Sequence, residues 1–335
     1  MSSCSFDPHV MECLGPLVTG GTCVMLKPLG NLDLNYVIST IHRHRVSIAG
    51  FVTSFLYALH EYLEQTNQFH LLSSMRQIIF GGEACHAARI APIFTALSHP
   101  SLNIELVNAY GPAETTDTAT YHKVTQQDLD RNIIPIGKPL LNYACHILDE
   151  QLLPIAVNEL GELYIGGRGV FAGYFGDNDM VRSLNNNALV RLPFEETLCY
   201  RTGDLCRLSE TGNILYCGRA DHQVKLRGQR LEIGEIEACI MRVEGVTNCV
   251  VMKQTNTRTQ RDFLVAFAQS HDSNSTNDLQ KVIMCQCNTQ LPDYMVPSTV
   301  TVMDKLPLNV NGKIDRKQLL DIELLEKNTG RNDDM

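Results

Sequence analysis

From Cys13 to Val107 the chain alternates segments of helical apolar spacing with short apolar runs of strand length, and this pattern restricts the fold more than any other feature. A helix-like stretch from Cys13 breaks at Gly20-Gly21, and a strand is expected over 22–26. A polar turn at Asp33 then leads into a helix over 37–44, a strand over 46–52, a helix over 55–63 and a strand over 77–80. A further helical segment precedes a strand at 104–107. Such an order predicts a parallel sheet covered by helices on both faces. After Ile134 the pattern changes to short strands at 144–148, 161–165, 203–208 and 212–217 with frequent turns, as in a small antiparallel barrel or sandwich. Strands at 249–253 and 263–269 around a helix near 279–288 predict a compact α+β subdomain, with a surface loop at 270–278.

The 335 residues carry a net charge of -9, which disfavours a polyanion such as nucleic acid as a partner. The 12 cysteines are scattered among apolar neighbours without metal or redox spacing, so they read as buried thiols in a reducing compartment. No apolar run has the length needed to cross a bilayer, and the first ten residues lack a signal-peptide pattern. A cytoplasmic protein without a membrane partner is the expectation.

The densest segment is 218–237, GRADHQVKLRGQRLEIGEIE. Gly218 and Asp221 form turns, residues 223–226 alternate like a half-wet strand, Gly228 turns again, and Gly234 precedes helical spacing with glutamates in the first turn. Four further segments stand out: NAYGPAETT at 108–116, GELYIGGRGVFAGYF at 161–175, YRTGDL at 200–205, and LPDYMVP at 291–297 followed by NGKIDR at 311–316. Pro112 stiffens the first into a rigid loop at a strand end, where open α/β sheets bind ligands. YRTGDL reads as a strand, a turn and an acid, and Asn311-Gly312 is a hairpin-turn signal with Lys313 just past its tip.

In wording, order and spacing these segments resemble the adenylate-forming enzymes, in particular the amino-acid-activating domains of nonribosomal peptide synthetases, over almost the whole chain. The resemblance implies an α/β fold: the C-terminal part of a large-domain core at 1–130 and a β-barrel-like subdomain at 131–220. A mobile C-terminal α+β lid at 221–325, hinged at Asp221, and a disordered tail at 326–335 would follow. It implies that Tyr110, beside Gly111, stacks on adenine. Glu114 would hold Mg²⁺ on the phosphates, Thr115 would contact phosphate, Asp204 would hold the ribose hydroxyls, and Arg219 would be a second ribose or phosphate contact. Lys313 would bridge substrate carboxylate and nucleotide phosphate. The segment FDPHVMECLGPL at 6–17 resembles the start of the amino-acid pocket, with Asp7 pairing the substrate's α-ammonium group. The remaining wall would come from Pro8, Met11, Gly50, Ile79, Gly81, Ala109, Asp117 and Thr118. Small residues at Gly50 and Gly81 with a second acid at Asp117 favour a side chain that carries a donor or positive charge. The family usually has arginine where Ala172 stands.

The reaction so implied is amino acid plus ATP to aminoacyl-AMP and pyrophosphate. Transfer to a phosphopantetheine thiol on a partner carrier protein would follow, with other synthetase modules as partners. The family places a glycine- and serine/threonine-rich phosphate loop upstream of Asp7, and none occurs in this sequence. The chain is therefore expected to be an N-terminally truncated adenylation domain, and inactivity in isolation stays open. So do a noncatalytic nucleotide-binding or protein-interaction remnant and an acyl- or aryl-coenzyme A ligase.

Overall fold

The computed structural model describes residues 7–220, 224–226, 229–256, 262–270, 276–307, 314–315 and 318–319. Its backbone divides into two compact units, Met1–Asp221 and His222–Met335. The first begins with α1 (Pro8–Val18) and α2 (Leu34–His44), the latter started by the Asp33 carboxylate accepting from the Tyr36 N–H and stopped by Arg45 in the left-handed region. There follow β1 (Ile48–Val52), α3 (Thr53–Thr66), β2 (Gln77–Gly81), α4 (Ala87–Leu97) and β3 (Glu105–Tyr110). Strands β1, β2 and β3 are parallel neighbours, as the alternating pattern predicts.

The sheet is mixed, however. Strand β4 (Thr120–Lys123) pairs antiparallel with β3, and β5 (Lys138–Pro139) antiparallel with β4, with α5 (Gln126–Asp130) between them. The cause is the short 111–119 connection: a parallel return needs a crossover of about a dozen residues or more. At the edge strand β1 only one face is covered by helices. Ala49, Phe51, Ile78, Phe80 and Leu106 pack with Ile38, Leu56, Leu59, Ile90 and Ile93, whereas Ile48, Gly50 and Val52 on the opposite face are exposed. The strand expected over 22–26 does not form, because it finds no ladder partner among the described residues.

The second sheet of this unit contains β6 (Tyr143–Leu148), β7 (Gly161–Gly167), β8 (Leu189–Arg191), β9 (Leu198–Leu208) and β10 (Ile214–Arg219), with α6 (Asp179–Ala188) before β8. All its pairs are antiparallel, in the order β10-β9-β7-β6 with β8 on β9. The Ile136 N–H donates to the Ile214 carbonyl at 2.9 Å and the Ile214 N–H to the Gly137 carbonyl at 2.7 Å, stitching the two sheets together. Residues 200–205 do not turn. They run inside β9, and Gly203, at φ 72°, absorbs a bulge rather than a reversal.

In the second unit β11 (Val224–Leu226) and β12 (Gln229–Leu231) pair antiparallel, and α7 (Ile233–Ile240) follows. Strands β13 (Asn248–Thr255), β14 (Asp262–Gln269) and β15 (Thr299–Met303) form a sheet, β14 and β15 being parallel across α8 (Thr276–Gln290). One sheet face buries Val251, Leu264 and Ala266 with Ile236, Ile240 and Ile283; the other buries Val250, Val265 and Phe267 with Leu306 and Leu319. Burial on both faces explains the near-continuous apolar run of β14.

Candidate active site

Strand β3 ends at Tyr110, and residues 111–118 project before the Ala119 N–H returns to the Tyr110 carbonyl at 2.9 Å. Within the loop Ala113–Thr115 form a 3₁₀ turn, and Thr116 and Asp117 both take positive φ, 59° and 67°. Each such residue costs roughly 1–2 kcal/mol without glycine, and strain of this kind concentrates at functional sites. Gly111 has a packing reason of its own: a Cβ there would run into the Asp117 carbonyl.

Tyr110 is buried, and its hydroxyl donates to Asp204 Oδ2 at 2.5 Å. Burial, and then the Asp204 charge, push the phenol well above its ordinary pKa, so it stays a donor. Arg219 lies directly across the β9–β10 ladder from Asp204 and donates Nη1 to Oδ1 at 2.8 Å. Three residues far apart in sequence thus meet at one buried carboxylate. Each carboxylate oxygen has about two acceptor positions, so Asp204 retains capacity for a sugar hydroxyl while both neighbours are bound.

Glu114 is buried too, and its Oε1 accepts from the Tyr174 hydroxyl at 2.7 Å. Tyr174 is held in turn by Asn185, whose Oδ1 accepts the Tyr174 N–H at 2.6 Å and whose Nδ2 donates to its carbonyl at 3.1 Å. The Phe171 N–H donates to the Glu114 carbonyl at 2.8 Å. The 161–175 segment, which by sequence reads as architecture, therefore also clasps Glu114. Nothing in the sequence marks Tyr174 for this contact, since tyrosine in a glycine-rich turn is equally a packing residue. Replacing it by phenylalanine strips one hydrogen bond from a buried carboxylate and is expected to cost about 1.5–3 kcal/mol, read as a lower melting temperature.

A magnesium ion held mainly by phosphate oxygens and water needs one or two carboxylates, not a protein cage. Glu114 fits that demand, and among the described residues no group of three or more His, Cys, Asp or Glu side chains makes a cage. Thr115 is fully buried and its hydroxyl donates to the Pro112 carbonyl at 2.9 Å, so a phosphate contact there requires that bond to be exchanged.

Asp7 occupies the N-cap of α1 but does not cap it. Its Oδ2 accepts the Asp117 N–H at 2.7 Å. Burial first, then the charges of Asp7 and Glu12, push Asp117 up to about 6, against a smaller lowering by Thr118. Gly50 is paired in register with Ile79, and Gly81 with Ala109, placing these four residues, expected to form a wall, on the sheet face away from α3 and α4. A Cβ on Gly81 would overlap the Ala109 carbonyl, so that wall is backbone-thin by necessity. Pro8 is half-buried, whereas Met11 is 59% exposed. Asp221 and Lys313 lie outside the described residues.

Comparisons with known proteins bear on this geometry. The profile of AMP-binding enzyme matches residues 1–175, and that of AMP-binding enzyme C-terminal domain matches 235–313. The chain is 36% identical over 318 residues to tyrocidine synthase 3 of Brevibacillus parabrevis, covering 94% of this chain and 5% of that protein. Against malpibaldin synthetase of Mortierella alpina it is 34% identical over 324 residues, covering 94% of this chain and 5% of that one. It therefore spans about a twentieth of the length of these curated relatives. Among solved structures it resembles holo-PA1221, an NRPS protein containing adenylation and PCP domains, with a TM-score of 0.77 and 31% identity over 96% of this chain and 52% of that one. The Vibrio cholerae adenylation domain AlmE, solved with glycyl-adenosine-5'-phosphate, gives a TM-score of 0.77 and 26% identity over 97% of this chain and 58% of that one. No helix among the described residues is long and apolar enough to cross a membrane.

Proposed function

We propose, on the premise that this chain belongs to the AMP-binding enzyme family, that it serves amino-acid adenylation in nonribosomal peptide synthesis. The observation that carries the proposal is the convergence of Tyr110 and Arg219 on the buried Asp204 carboxylate. Family membership supplies ATP as the nucleotide, and this cluster is the one built to hold its sugar. Asp204 takes the ribose hydroxyls, Arg219 adds a donor for ribose or phosphate, and the Tyr110 ring flanks adenine. Glu114 would hold Mg²⁺, which would neutralise phosphate charge. A carboxylate oxygen of the amino acid attacks the α-phosphorus, the bond to the β-phosphate oxygen breaks, and pyrophosphate leaves. Lys313 meets the charge that develops there.

Asp7 receives the substrate α-ammonium group at the start of α1, and Asp117 stands beside it. The border between the compact units falls at Asp221, which supports its reading as the hinge of a lid. Transfer to a phosphopantetheine thiol would follow, and the names of the relatives support carrier proteins and synthetase modules as partners.

ATP–pyrophosphate exchange on the purified chain, with a panel of amino acids and Lys313→Ala as control, tests the function. Exchange with one amino acid or a narrow set is expected. Exchange with none rejects adenylation by this chain alone, and activation of an acid without an α-amine points instead to an acyl ligase.

A pH profile adds a second check. Because Asp117 is raised from 3.8 to about 6, folding holds its proton and the folded state loses stability as pH rises between those values. The ionised form is the one that attracts an ammonium group. Affinity for the amino acid is therefore expected to increase as pH rises through about 6, with Asp7 and Glu12 also facing the group. Asp117→Asn is expected to flatten the profile of amino-acid KM against pH.

A further inference from the structure

Asp204 reaches its place through an irregularity in the β7–β9 ladder. Tyr164 pairs with Arg201 and Glu162 with Leu205, so the single Leu163 is opposed by Thr202, Gly203 and Asp204. A bulge of this kind leaves backbone groups without ladder partners, and buried polar groups must find others. Thr202 supplies some: its hydroxyl donates to the Leu163 carbonyl at 2.7 Å, and its Oγ1 accepts the Asp204 N–H at 3.0 Å. The Gly203 N–H goes instead to a side chain, Glu162 Oε1, at 3.2 Å.

We propose that Glu162 is a positioning residue for nucleotide binding, fixing the Gly203 bulge so that the Asp204 carboxylate meets Tyr110, Arg219 and the ribose together. The inference rests on the nucleotide reading of Asp204. Glu162 also accepts from Arg201, which donates Nε to both carboxylate oxygens, at 2.9 and 3.0 Å, and Nη2 to Oε2 at 2.8 Å. Arg201 is half exposed whereas Glu162 is 13% exposed, so the ion pair is screened and the bond into the bulge is the one that carries position. Bulges next to active sites re-aim side chains, and a misplacement of about 1 Å in a positioned group can cost on the order of a hundredfold in function. Gly203 at φ 72° permits the required bend, and its carbonyl accepts the Ala220 N–H at 2.8 Å, tying the bulge to the end of β10.

The test is equilibrium binding of ATP to the purified chain by calorimetry, beside amino-acid KM and melting temperature, for Glu162→Ala, Glu162→Gln, Arg201→Ala and Asp204→Asn. Glutamine keeps an acceptor for the Gly203 N–H, alanine does not, and Arg201→Ala removes only the ion pair. Glu162→Ala is expected to weaken ATP about tenfold with amino-acid KM unchanged, while Glu162→Gln and Arg201→Ala stay within about threefold. The proposal is overturned if Glu162→Ala leaves ATP affinity intact. It is equally overturned if nucleotide and amino acid weaken together in step with melting temperature, or if glutamine fails to rescue while Arg201→Ala matches the alanine variant. Asp204→Asn separates the two levels. If it leaves ATP binding unchanged, the ribose reading fails and the positioning role with it. If it weakens ATP while Glu162→Ala does not, only the positioning role fails.

Discussion

Replacing Asp204 by alanine is expected to destabilise the first compact unit by about 3–5 kcal/mol and to weaken ATP binding about a hundredfold. The size follows from burial. In the ion pair the Arg219 side chain is 11% exposed and Asp204 3%, so neither charge can turn to water when the other is removed. Alanine removes the carboxylate to which both Arg219 Nη1 and the Tyr110 hydroxyl donate, and with it the charge that faces the guanidinium across the ladder. A unit of this size shifts by about 2–4 °C per kcal/mol, so melting should fall by roughly 10 °C. Because the chain has two compact units, the transition of the first must be followed by itself, for example through proteolysis of its strands. Wild-type melting in this variant would mean that Arg219 relaxes to solvent and that the carboxylate is no hub.

The second large effect belongs to Lys313, and it should appear in rate rather than in binding. Negative charge gathers at the α-phosphorus only as the carboxylate attacks, so a cation placed there favours the transition state over bound ATP. Lys313→Ala is expected to lower kcat for ATP–pyrophosphate exchange by about 10²–10³, with KM for ATP changed by less than about threefold. A loss confined to KM would make Lys313 an ordinary phosphate contact. Asp204→Asn in the same assay should show the opposite division, with KM for ATP rising first, and the contrast separates binding from catalysis.

The sequence announces chemistry where a rare residue combination sits on a turn, and it is silent where ordinary residues act through packing. NAYGPAETT, YRTGDL and the 218–237 block mark Tyr110, Glu114, Asp204 and Arg219. That Tyr110, Asp204 and Arg219 share one carboxylate is invisible in the string, because 94 positions separate Tyr110 from Asp204. Tyr174 and Glu162 sit in the 161–175 segment, which stands out in the sequence as architecture, and nothing there marks either one for its contact. Each looks like a packing or surface residue until the fold brings it to Glu114 or to the Gly203 N–H. The exposed face of edge strand β1 was equally hidden, since alternating apolar segments reveal that a sheet is packed but not which face receives the helices.

By itself the sequence determined the class of fold, the family and the alternation that lays β1, β2 and β3 side by side, since periodicity, turn residues and motif order are all local and survive without coordinates. Tertiary structure alone decided that β4 runs antiparallel, that residues 200–205 bulge instead of turning, and that Asp7 reaches Asp117 rather than capping its own helix. The reason is the same in each case. These outcomes depend on which backbone N–H and C=O groups find partners across the chain, and that accounting closes only when distant segments are in contact.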